Sequence, residues 1–198
     1  MTAWGPRADV LLNTMMVVEM YTLNRALPGL THEEFDWEPH PGAWGIRRRE
    51  ECTTPNATRA EGSEWVADQD WALGEAADRG EETEPMATMG WLINHFGAAP
   101  GLVAQLEIVG GPITPTLEIY TQMWGHTNLP TVDDAVTRFK DGWSALDRAL
   151  RASTDETLER TYEGHPWQRG DLAVTAMLNE VSHHGTQICM LRDLYAHQ

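Results

Sequence analysis

The segment 172–195, LAVTAMLNEVSHHGTQICMLRDLY, constrains the chain most. Its apolar residues Ala173, Met177, Val181, Ile188, Leu191 and Tyr195 recur in steps of three, four and seven, the stripe of a helix packed in a bundle. Two polar side chains sit on that stripe. Glu180 follows Met177 by three residues and His184 precedes Ile188 by four, so they form an i, i+4 pair. One helical turn rises about 5.4 Å, which lets such a pair converge on one point. Burying a lone carboxylate is costly unless something compensates its charge. A divalent metal would do so, given a third ligand from elsewhere. The alternative is that Glu180 and His184 only hydrogen-bond to their neighbours, which predicts no stoichiometric metal.

The remaining chain supplies partners for that helix. Residues 8–27 have helical length and end at Pro28 and Gly29, and Thr31 with Glu34 spells a capping box for a short helix. Residues 39–46, PHPGAWGI, read as a turn. Residues 86–106 form a second helical candidate with Met89, Leu92, Phe96, Ala99 and Val103 inward, to be kinked or split by Pro100 and Gly101. His95 flanks its stripe; a lone histidine there is more often structural than a ligand. Residues 107–130, interrupted by glycine and proline, read as a crossover that includes Trp124 and His126. A third long helix runs from Thr131 to about Ala152, with Ala135, Phe139, Trp143, Leu146 and Leu150 inward. A cap at 153–156 then starts a short segment to Tyr162, and a turn at 163–170 leads into the last helix. Strand signals are nearly absent. The expected fold is all-α, one domain over 1–198: a four-helix bundle with a long crossover.

Between the first and second long helices, residues 47–85 are polar and acidic, punctuated by Trp65 and Trp71. The expectation is a lid-like loop excursion pinned by its tryptophans. It opens with Arg47, Arg48 and Arg49, which read either as a clamp for an anionic substrate or as charges paired with nearby acids.

Composition narrows the partners. A net charge of −16 and a pI near 4.7 argue against nucleic acid or an anionic membrane. No apolar run reaches the length of a membrane span, and the N-terminus lacks a basic stretch before its apolar one, so a cytoplasmic location is expected. Lys140 is the one lysine beside thirteen arginines, a bias of GC-rich coding. Cys52 and Cys189 make no disulfide framework.

His95 on the second long helix and Glu180 with His184 on the last form a donor set on facing helices. Two imidazoles and one carboxylate suit zinc or another first-row divalent ion. Three protein ligands leave positions open, the catalytic rather than the structural pattern.

WLINHF (91–96), EVSHHGTQICMLRDL (180–194) and FDWEPHPGAWGI (35–46) together resemble the DinB/YfiT-like metal-binding bundle superfamily. The E-x-x-x-H form of the last motif resembles the branch of mycothiol-dependent maleylpyruvate isomerases and thiol S-transferases. Many members carry histidine where this chain has Glu180. The family's HHRGQ-type segment stands here as residues 183–187, HHGTQ. The resemblance implies His184 as a ligand, with His183 turned aside into a supporting hydrogen bond behind it. It implies zinc or nickel, a low-molecular-weight thiol such as mycothiol as co-substrate, and a small-molecule electrophile as the other partner. Arg47, Arg48, Arg49 and Arg192 are candidates for the thiol's binding surface by charge only. A metal-dependent hydrolase with His183 or His126 as base is an alternative, as is a non-catalytic, metal-stabilised bundle that holds a ligand or a partner. Homodimer formation is a further expectation.

Overall fold

The computed structural model describes residues 5–54, 63–69, 76–77, 79–116, 128–162 and 169–198. Trp71, Trp124, His126 and most of the turn expected at 163–170 lie outside them. The chain folds as an all-α bundle. Helix α1 (Pro6–Val18) passes into a π-helical turn (Glu19–Leu23) and ends in the single turn α2 (Asn24–Ala26). A capping box starts α3 (His32–Asp36): Glu34 N donates to Thr31 Oγ1 at 3.2 Å and Thr31 N to Glu34 Oε2 at 2.9 Å.

The second long helix is split. Helix α4 (Met89–Gly97) and α5 (Ala99–Val103) meet at Ala98, because Pro100 has no N–H to continue the ladder. Helix α6 (Val132–Ala152) is capped by Thr131, whose Oγ1 accepts from Asp134 N. Its buried residues include all five expected ones. The cap of the short α7 (Asp155–Glu159) is Thr154, one residue later than the 153–156 pattern placed it. Ser153 instead donates from Oγ to the carbonyls of Val109 and Ala149. Helix α8 (Gly170–Tyr195) closes the bundle against α1 and α4.

Two close approaches set the helix spacing. A Cβ on Gly142 of α6 would stand 2.7 Å from the backbone nitrogen of Gly101, so α5 and α6 nearly touch. A Cβ on Gly185 of α8 would stand 2.5 Å from Thr22 Cγ2 in the π-turn. The π-turn shifts the register of the first helix there, and Cys189 Sγ donates to the Thr22 carbonyl at 3.8 Å.

The stretch after Gly45 departs from the expected loop. Strands β1 (Ile46–Arg48) and β2 (Trp65–Ala67) pair antiparallel, Arg47 opposite Val66. Trp44 bridges on its other side to Ala87, with Trp44 N donating to Met86 O and Thr88 N to Trp44 O. Asp68 then knots the layers together. It is 3% exposed, and its Oδ2 accepts from Gly45 N at 2.9 Å and Arg47 Nε at 2.6 Å. Cys52 Sγ and Thr54 Oγ1 lie 3.3 and 3.4 Å from its Oδ1. Among the described residues, no helix is long and apolar enough to cross a membrane.

Candidate metal centre

Every residue of α4 is buried except His95, which faces α8. Its imidazole stacks on the Trp91 indole one turn earlier, ring centroids 4.6 Å apart and 13° from parallel. Trp91 is itself fixed, since its Nε1–H donates to the Asp68 carbonyl at 2.6 Å. The knot under the small sheet therefore holds the ring that holds His95.

On α8, Glu180 and His184 face His95 from one stripe. The His184 ring meets His95 edge-on at 4.8 Å and lies parallel to Phe96, 5° apart in plane. One donor atom each from His95, Glu180 and His184 lies within 4.8 Å of the others. Zinc–nitrogen and zinc–oxygen bonds of about 2.1 Å in a tetrahedral site put donors about 3.4 Å apart. His184 Nε2 and Glu180 Oε2 already stand at 3.3 Å. The donor set fits a divalent first-row cation in number and type, and the Glu180–His184 pair fits it in spacing as well.

The far side of His184 sharpens this. Its Nδ1 lies 2.7 Å from Gln187 Oε1, a carbonyl oxygen that can only accept. With the proton on Nδ1, the Nε2 lone pair is directed at a carboxylate oxygen. Two acceptors at that distance repel unless a cation stands between them. A proton there makes an imidazolium–carboxylate pair; a metal replaces that proton. The Glu180 carboxyl is held below the usual carboxylate range, first by the hydrogen bond from His184. Partial burial opposes this, and the charges of His184 and His183 add to it.

A cleft of about 690 Å³ opens beside the triad. His184 is a wall of it; His95 and Glu180 are not among its lining residues. Trp44 and Trp91 form its floor, ring centroids 5.7 Å apart. One side is α8, from Asn179 to Leu191, and the other is the segment 84–87 that bridges to Trp44. His40 steadies that segment, with Nδ1–H donating to Pro41 O and Nε2 accepting from Met86 N.

Sequence spacing brings His95, Glu180 and His184 together, and the fold places their donor atoms side by side. His183 is exposed on the cleft wall, its ring 4.8 Å from that of His184; the acceptor for His184 Nδ1 is Gln187 Oε1 instead. The arginines are engaged elsewhere. Arg47 pairs with Glu38 and Asp68, and Arg48 pairs with Glu64 while covering the Trp65 ring. Arg49 donates to the Ser63 carbonyl. Arg192 pairs with the buried Glu34 and donates to the carbonyls of Arg25, Ala26 and Pro28, fastening the end of α8 to the end of the first helix. None of these four lines the cleft. Gln187 and Trp91 were legible only as spacings, i+3 from His184 and i−4 from His95; which atoms they offer depends on side-chain orientation.

The profile of the DinB superfamily matches residues 19–188. No curated protein and no solved structure matches the chain. The matched span runs from the π-turn to Ile188 and takes in both helices that carry the triad, so the chain belongs to the DinB superfamily.

Proposed function

We propose that the chain is a metal-dependent enzyme that activates a small thiol for attack on an electrophile, as the mycothiol-dependent isomerases and S-transferases it resembles do. His95, Glu180 and His184 would hold the cation. When bound, it supplies Lewis acidity that lowers a thiol's pKa toward neutrality. The observation that carries the reading is the placement of His184, whose Nε2 faces a carboxylate while its Nδ1 is committed to Gln187.

The chain's own residues divide the remaining work. Gln187 holds the His184 tautomer, and Trp91 holds the plane of His95. His183, exposed on the cleft wall beside His184, takes the thiol proton on an imidazole nitrogen. The sulfur then forms a bond to the electrophilic carbon. In a transfer, the displaced group departs with its electron pair and that proton returns to it. In an isomerisation, the π pair moves to the neighbouring carbon, the single bond rotates, and the pair returns as the thiolate leaves.

The test is metal content by elemental mass spectrometry, followed by turnover of an electrophile with and without mycothiol. About one zinc or nickel per chain is expected, lost in His95→Ala and Glu180→Ala, together with thiol-dependent turnover. A chain that cannot be loaded sinks the reading. Turnover by hydrolysis without thiol would replace it with metal-hydroxide chemistry.

A further inference from the structure

We infer that the cleft beside His184 is a binding site for an uncharged aromatic or apolar group, which its described side chains favour over an anion. Its volume, about 690 Å³, is that of a small-molecule site. The floor is two indoles, Trp44 and Trp91. The mouth carries two thioethers, Met86 at 46% and Met190 at 60% exposure, which adapt to a flat ligand and make favourable sulfur–ring contacts. Away from the two histidines, the two indoles and Glu84, its polar side chains are the neutral amides and hydroxyls of Asn179, Gln187, Ser182 and Thr186.

Charge makes the choice between ligand classes. Among the described residues that line the cleft there is no lysine or arginine, and the one carboxylate is Glu84, exposed on its rim. The whole chain carries −16. Without the metal, an anion entering would shed water without gaining a cationic side chain from the described lining and would meet the Glu84 field. The arginines that could have served it are held by Glu38, Asp68, Glu64 and Glu34. A dicarboxylate would find at most the metal for one carboxylate and no cationic side chain among the described lining residues for the other, whereas a neutral arene or a hydrophobic epoxide or halide matches the walls. Naming that group as the electrophile rests on the thiol-transfer reading; the ligand class does not.

A matched pair of probes tests this: 2-naphthalenemethanol, always neutral, and 2-naphthoate, titrated by calorimetry into the full chain with and without zinc. The neutral probe is expected to bind at least about tenfold more tightly in the zinc-free chain, and zinc, whose charge attracts a carboxylate, should narrow that gap. Met190→Asp, at a half-exposed helix position, should weaken the neutral probe about fivefold or more, and Glu84→Arg should narrow the gap by raising the affinity of naphthoate. Naphthoate binding the zinc-free chain as tightly as the alcohol does overturns the inference. So does binding of neither probe, or a neutral affinity that Met190→Asp leaves unmoved. If the neutral probe binds as expected and no thiol-dependent turnover is found, the site stands and the thiol-transfer reading falls.

Discussion

Gln187 Oε1 lies 2.7 Å from His184 Nδ1, one turn further along α8, and sets which imidazole nitrogen faces His95 and Glu180. Partners that orient a ligating histidine in this way typically change metal affinity by about 10- to 100-fold when removed. Gln187→Ala should therefore weaken zinc binding by about that factor, read by competition with a chromogenic chelator, with helicity unchanged. Gln187→Glu keeps an acceptor at the same reach and should restore most of the loss. Equal affinities in all three proteins would mean that the tautomer is set by something else.

Metal binding should also appear as stability. A ligand at about a thousand times its Kd, binding only the folded state, contributes about 4 kcal/mol. For a chain of this length that is a rise in Tm of about 10 °C. Zinc should raise the melting temperature of the parent by that order, and a chelator should remove the rise. His95→Ala should melt at one temperature with or without zinc. A variant that still responds would place the ion at other residues.

The long helices were legible because their apolar spacing is local, and so was the Glu180–His184 pair, four residues apart in one of them. What escaped was non-local. Strands β1 and β2 are three residues each and pair across a stretch that reads as polar loop; their partnership is fixed by Asp68 and by the bridge from Trp44 to Ala87. Arg192 looked available because its partner, Glu34, is 158 positions away. Pairing with acids was one of two readings of the Arg47–Arg49 triplet, and it holds for Arg47 and Arg48, with partners that spacing could not have named. The cap of α7 slipped by one because Ser153 and Thr154 are chemically equivalent until the Val109 carbonyl claims the serine.

Asn94, beside the histidine, is fully buried and joins three elements. Its Nδ2 donates to the carbonyls of Gly90 and Leu129, and its Oδ1 accepts from Leu129 N at 2.7 Å and Arg138 Nη2 at 3.0 Å. Burial already pulls the Arg138 guanidinium down to about 10. Asn94→Ala strips four contacts at once and leaves the Leu129 amide without that partner. A loss of about 2–4 kcal/mol is expected in urea unfolding, large for one small side chain. A loss under about 1 kcal/mol would show that water or rearrangement replaces the network.

The approach of α8 to the π-turn gives the last prediction. A Cβ at Gly185 would stand 2.5 Å from Thr22 Cγ2, far inside contact distance, and His184 is the preceding residue. Gly185→Ala should force the two helices apart or rotate α8, at a cost of about 1–3 kcal/mol. Zinc affinity should fall with it, because the displacement falls on the residue next to a ligand. The clash is with one methyl group, so Thr22→Ser in the same chain removes its cause while keeping the hydroxyl. The double variant should recover most of both stability and affinity, a coupling of about 1 kcal/mol or more between residues 163 positions apart. Strict additivity of the two changes would mean that Gly185 is needed for its backbone freedom rather than for the space it leaves. The π-turn would then have no part in seating His184.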